Sequence, residues 1–142
     1  MESQVPVIVG IVLGVLIAVF ARFTGFDRDR AFYPTALIVI ASYYALFAVM
    51  GGSMPAMMLE LVGIAVFVGI AIAGFKGSPW IVAAGIAGHG VFDFVRIGLI
   101  DNPGMPEWWP PFCASIDITI GVCLAWLLYT GRLRTPASAD RK

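Results

Sequence analysis

Five apolar runs, at about 5–22, 32–50, 55–75, 79–100 and 112–130, make up most of the chain. Each is near the ~20 residues that carry a helix across ~30 Å of hydrocarbon. Such a pattern leaves few folds open. In lipid every backbone N–H and C=O must be paired inside the protein, which permits helices or a closed barrel, and unbroken runs of this length read as helices. Composition points the same way: 60% of the residues are hydrophobic and 13% charged, with a mean hydropathy of +0.92. A soluble domain is roughly 45–50% apolar and about 25% charged.

The sequence therefore predicts an all-α, integral membrane bundle of five transmembrane helices, a single domain over 1–134. A polar tail at 135–142, poor in apolar residues, is expected to be disordered. The first run is expected to stay as a membrane helix. It lacks a basic leader, Glu2 being the only charge before it, and it exceeds the ~7–15 apolar residues of a cleaved signal. Turn signals separate the runs: Gly25-Phe26-Asp27, Gly51-Gly52-Ser53, Gly77-Ser78-Pro79 and the proline-rich segment 101–111.

Direction follows from the basic residues. Arg22, Arg28, Arg30, Lys76, Arg132, Arg134, Arg141 and Lys142 fall in the first and third connections and after the last run, whereas Glu2, Asp101 and Glu107 mark the other side. The positive-inside tendency then places the N-terminus outside and the C-terminus in the cytoplasm, in a plasma membrane of the bacterial inner-membrane type. No basic aromatic face suits nucleic acid, which excludes that class of partner. Membrane lipids are the expected surroundings. Cys113 and Cys123 lie ten residues apart in one run, about 15 Å along a helix, too far to bridge.

Against this background Glu60, His89, Asp93 and Asp117 stand out, each inside a membrane-length run. A charge at the bilayer centre costs at least ~2.5–3.5 kcal/mol, so such residues usually face a bundle interior, a partner or water. Counted from the outer ends of their runs, Glu60, Asp117, Asp93 and His89 lie roughly 8, 9, 10 and 16 Å deep, one shallow layer drawn from three helices. Helical spacing groups them further. Gly85, His89, Asp93 and Arg96 form one stripe, Cys113, Asp117 and Gly121 a second, and Met57, Glu60 and Ile64 a third. Small residues at Ala84, Gly85, Ala87, Gly88 and Gly90, and the Gly10-x3-Gly14 pair, permit close helix approach.

Three carboxyls share the layer with one permanent cation, Arg96. One carboxylate can pair with Arg96 and another with a protonated His89; the remainder must keep a proton, bind a cation or meet water. Carboxyls beside an imidazole suit general acid–base work or proton relay. His89, Asp93, Asp117 and Glu60 are thus the candidate catalytic residues, and Arg96 is a candidate for an anionic headgroup or for pairing a carboxylate. Blander roles exist for each: a backbone hydrogen bond for His89, an Asp93–Arg96 pair, and headgroup contact for Glu60. A metal held by His89 and two or three carboxylates is a lesser candidate, since one imidazole is few for zinc and neither H-x-x-x-H nor C-x-x-C occurs.

Tyr43 and Tyr44 lie near the same layer, and only one of them can face inward. Trp108 and Trp109, in the outer loop, suit an interfacial aromatic belt or a rigid lid over the polar layer. These four are candidate substrate contacts. Ser42, Ser115 and Thr119 are expected to bond carbonyls of their own helices.

The segment Gly88-His89-Gly90-Val91-Phe92-Asp93, followed by Trp108-Trp109-Pro110-Pro111-Phe112-Cys113 and then Asp117, resembles small uncharacterised bacterial multi-pass membrane proteins. These carry an H-x3-D helix and then a W-x2-F-C-x3-D helix. The likeness covers the last third of the chain and implies no particular activity. A looser likeness is to the EXPERA-type, emopamil-binding sterol isomerases. There a His and a carboxylate one turn apart stabilise a cationic intermediate, which His89 and Asp93 would match, with Glu60 or Asp117 as second carboxyl.

Three function classes follow. The first is a membrane-embedded enzyme acting on a lipid-like or isoprenoid substrate. The second is a proton-coupled transporter, expected to oligomerise; the third is an accessory subunit docked on a partner membrane protein. The acids all lie in the outer half, which favours a one-sided pocket over a relay across the bilayer.

Overall fold

The computed structural model describes residues 4–133, so the tail at 135–142, along with Glu2, lies outside the described residues. Five α-helices follow one another: α1 (Gln4–Thr24), α2 (Phe32–Met50), α3 (Met54–Lys76), α4 (Pro79–Val95) and α5 (Trp109–Tyr129), with a short 3₁₀ turn at Phe26–Arg28. Four of them, α1, α2, α3 and α5, are long and apolar enough to cross a membrane.

Local chemistry sets the boundaries. Ser53 and Ser78 cap α3 and α4 by accepting bonds from Ala56 N at 3.2 Å and Trp80 N at 3.3 Å, and a proline in each first turn gives up no helical hydrogen bond. Pro110 and Pro111 act likewise at the start of α5. For that reason the helix begins at Trp109 and not at 112, which moves Trp109 out of the loop that the sequence pattern suggests for it. The fourth run differs most. Its apolar residues continue to 100, yet α4 is only 17 residues long and stops at Val95. Beyond it the chain curls back: Leu99 N and Ile100 N both bond to Arg96 O, and Gly98 takes the left-handed conformation (φ 82°) that favours glycine.

The packing order is α1 on α5, α5 on α4, α4 on α3 and α3 on α2. Glycines make the closest seams. A Cβ on Gly90 would lie 2.8 Å from the Ala114 carbonyl oxygen, and one on Gly121 would lie 2.9 Å from Ala87. Gly10 and Gly14 sit against Ser115 and Thr119, so the Gly-x3-Gly pair does seat α1 on α5. Ala84 and Gly88, by contrast, face outward. Ser42, Ser115 and Thr119 bond the carbonyls of Ile38, Phe112 and Ser115, within or at the start of their own helices.

The connections gather alternately at two ends. At one, Arg30 reaches across to the end of α3, donating to Phe75 O at 2.6 Å and Gly77 O at 2.7 Å. These are the open carbonyls of a helix C-terminus, where a cation is favoured. At the other, Asn102 donates to Tyr44 O at 3.0 Å and Gly104 lies directly on the C-terminal turn of α2. An apolar core of Leu37, Phe67, Val82, Ile86, Ile120 and Leu124 fills the interior between α2, α3, α4 and α5.

Candidate functional site

The polar residues singled out by the sequence converge, and they are buried. Glu60 is 2% exposed, His89 1%, and Asp93, Arg96 and Asp117 0%. Two adjoining groups result. In the first, Arg96 Nη2 donates to Glu60 Oε1, Asn102 Nδ2 donates to the same oxygen at 3.0 Å, and Arg96 Nη1 meets Met105 Sδ at 2.9 Å. The guanidinium lies 4.0 Å over the Tyr44 ring. In the second, His89 Nδ1 is 2.8 Å from Asp117 Oδ2 and 3.7 Å from Asp93 Oδ1. The Tyr44 hydroxyl donates to Asp93 Oδ1 at 2.5 Å, and Cys113 Sγ lies 3.8 Å from Asp117 Oδ2.

Tyr44 joins the two groups, its ring under Arg96 and its hydroxyl on Asp93. The helix stripes account for this. Gly85, His89, Asp93 and Arg96 are all buried along one face of α4 and its C-cap, as are Cys113, Asp117 and Gly121 along one face of α5. The curl at Gly98 then brings Asn102 back over Glu60.

Several alternatives are thereby decided. Arg96 pairs with Glu60 and not with Asp93 three residues away, and Glu60 is held inside instead of reaching outward. The Glu60–Arg96 charges cancel, so Asp93 and Asp117 are left with His89 as the group able to balance them. Among the described residues, Asp93 Oδ2 and Asp117 Oδ1 are buried and without a hydrogen-bond partner.

A cavity of about 870 Å³ runs beside the site, between α2 on one side and α1 and α5 on the other. Ile17, Phe32, Val39, Ile116 and Ile120 give it apolar walls, and Cys113 and Asp117 border it. From Phe32 to Tyr43 it follows α2 for about 16 Å. Val39 and Tyr43 on its rim are exposed, so it opens sideways. Trp109 closes one end, with ring centroids 5.2 Å from Tyr43 and 4.8 Å from Phe47.

The candidate substrate contacts divide accordingly. Tyr43 and Trp109 line the cleft; Tyr44 is the inward tyrosine; Trp108 is exposed and lies against Trp109 and Phe112; Arg96 is sealed into its pair with Glu60 and does not line the cleft. Sequence reasoning misses Asn102 and gives Cys113 no chemical role, although Cys113 stands four residues before Asp117 on the same stripe. Asn102 carries no signal of its own within a Pro- and Gly-rich loop. No family model, curated protein or solved structure matches this chain.

Proposed function

We propose that the chain spans the plasma membrane as five helices, N-terminus outside and C-terminus in the cytoplasm. We further propose that it is an enzyme acting on a lipid-like or isoprenoid molecule that enters the cleft from the bilayer. Support for insertion comes from the surface: valines, isoleucines, leucines and phenylalanines are exposed along α1 and α3 in a density that water does not tolerate. At 17 residues α4 is at the short limit for a span, and the curl after it completes the outer boundary. Orientation is checked with Ser53→Cys in a Cys123→Ser background: an impermeant maleimide should label it from outside, and labelling only after permeabilisation would reverse the topology.

The observation that carries the reading is the double position of Asp117, which borders the cleft and bonds His89. A substrate in the cleft would lie against the wall behind which Asp117 is buried, and would reach it as the covering side chains shift. The unpartnered Oδ1 of Asp117 is free to exchange a proton, while Oδ2 stays against His89 Nδ1. Asp93, fixed by Tyr44, lies 3.7 Å from the same imidazole nitrogen, and Glu60–Arg96 holds Tyr44. Proton transfer by a placed group of this kind contributes ~10²–10⁴-fold.

A relay across the membrane is disfavoured by the apolar core, because Leu37, Phe67, Ile86 and Leu124 separate the acids from the basic end. Native mass spectrometry in mild detergent tests the reading. Wild type should retain a lipid-like small molecule, Val39→Trp should lose it by filling the cleft, and Asp117→Asn should retain it without converting it. A wild-type protein that carries none from membrane extract, even with isoprenoid lipids added, would overturn the reading.

A further inference from the structure

His89 and Asp93 on α4, and Cys113 and Asp117 on α5, present an imidazole nitrogen, a thiol and two carboxylates whose donor atoms all lie within 4.8 Å of one another, all of them buried. The geometry points to a binding site for one divalent transition-metal ion, of the zinc or iron(II) class, held by these four side chains. The inference rests on the site described above but not on its lipid substrate.

Four observations carry it. First, the donor set suits the ion: imidazole, thiolate and carboxylate are the protein ligands of Zn²⁺, and four of them complete a tetrahedron. His89 and the two aspartates alone fall one ligand short; Cys113 supplies the fourth. Second, the spacing comes close to that of such a site: the donors lie within 4.8 Å of one another, so the widest pair would close by up to about 1 Å. Bonds of ~2.0–2.3 Å in a tetrahedron set the donors roughly 3.3–3.8 Å apart. His89 Nδ1 is 3.7 Å from Asp93 Oδ1, and Cys113 Sγ is 3.8 Å from Asp117 Oδ2. The 2.8 Å between His89 Nδ1 and Asp117 Oδ2 is a hydrogen bond that would open by about half an ångström.

Third, Asp93 and Asp117 each keep one buried oxygen without a hydrogen-bond partner, Oδ2 and Oδ1, and a cation on the opposite oxygen of each carboxylate would neutralise the buried groups that carry them. Arg96 cannot, since Glu60 already neutralises it. Fourth, the outer support that such sites require is in place. Tyr44 donates to Asp93 Oδ1 at 2.5 Å, the kind of bond that fixes a ligating carboxylate. Asp117 and Cys113 border the cleft, so the buried donors lie next to the one side from which an ion could approach as the covering side chains shift. Binding the ion would displace the Cys113 thiol proton and any proton shared between His89 and the carboxylates.

Cobalt(II) is the probe, added to metal-stripped full-length protein in detergent and followed by absorption. The expected result is one Co²⁺ per chain, displaced by Zn²⁺, with visible bands of tetrahedral cobalt and a near-ultraviolet thiolate band. That thiolate band should vanish in Cys113→Ser and persist in Cys123→Ser, and Tyr44→Phe should weaken binding ~10–100-fold. Circular dichroism and size-exclusion profiles matching wild type show that each variant is folded. Should Cys113→Ser not fold, Asp117→Asn and Tyr44→Phe carry the same comparison through affinity alone. Absence of stoichiometric binding to the folded wild type, or a thiolate band that survives Cys113→Ser, would overturn the inference. Neither result decides whether a lipid occupies the cleft, which the retention experiment reads on its own; a bound ion would make Asp117 a ligand to the metal in place of a free proton carrier.

Discussion

Glu60 and Arg96 form the only arginine–carboxylate pair among the described residues in which both partners are sealed from solvent, and its worth depends on what is removed. Taking away one partner leaves the other charge buried and uncompensated, at a cost of about 3–5 kcal/mol, whereas replacing both by apolar groups of similar volume is often neutral. Glu60→Leu is therefore expected to lower the thermal midpoint in detergent strongly, and Glu60→Leu with Arg96→Met to recover most of the loss. A Glu60→Leu protein as stable as wild type would mean that the pair does not hold Tyr44 in place. The sequence makes these residues conspicuous through their cost in lipid and puts them at one depth. It cannot choose among partners, because Arg96 has Asp93 one turn away on its own helix and meets Glu60 only through the packing of α4 on α3 and the curl at Gly98. Asn102 becomes a member of the site by the same curl.

At the scale of helices, the site depends on how closely α4 and α5 approach. Gly90 leaves no room for a Cβ: it would meet the Ala114 carbonyl oxygen at 2.8 Å and the Asp117 Cβ at 3.2 Å. Gly90→Ala should thus push α5 away at the very turn that carries Asp117, with an overpacking cost of about 1–3 kcal/mol. Gly88, two residues earlier, faces outward, and a methyl group added there would meet nothing within 4 Å. Gly88→Ala should therefore be neutral or stabilising by up to ~1 kcal/mol. Thermal unfolding of the pair checks the contrast; equal midpoints would mean that the α4–α5 seam is slack. Helix number and most boundaries are legible as apolar runs between Gly and Pro turns. The end of α4 is not, because residues 96–100 remain largely apolar, and apolarity marks contact with lipid or protein without distinguishing helix from turn. Pro110 and Pro111 read as loop residues, although the first helical turn accepts proline as readily as a loop does.

Over the whole molecule, polarity is divided along the bundle axis. Arg22 and Arg30 are tied down at the end that holds the first and third connections, the acid–imidazole site lies towards the other end, and an apolar core separates them. The cleft borders the site at Cys113 and Asp117, and it opens sideways past Val39, which in a membrane means towards lipid. Charge alternation and the shallow layer of acids are readable from the order of residues. The cleft is not, since it arises from α2 packing on α3 while α1 packs on α5, a choice that five runs of similar hydropathy leave open. The central claim, that this cleft admits a lipid-like chain to Asp117, is tested most directly by photolabelling the protein in vesicles with a diazirine-bearing isoprenoid or acyl lipid and mapping the adducts. Labelling should concentrate on Val39 and Ile116, well above Val12 of α1 and Val62 of α3, which are at least as exposed, and should fall in Val39→Trp at Ile116. Adducts spread evenly over all exposed apolar faces would contradict it.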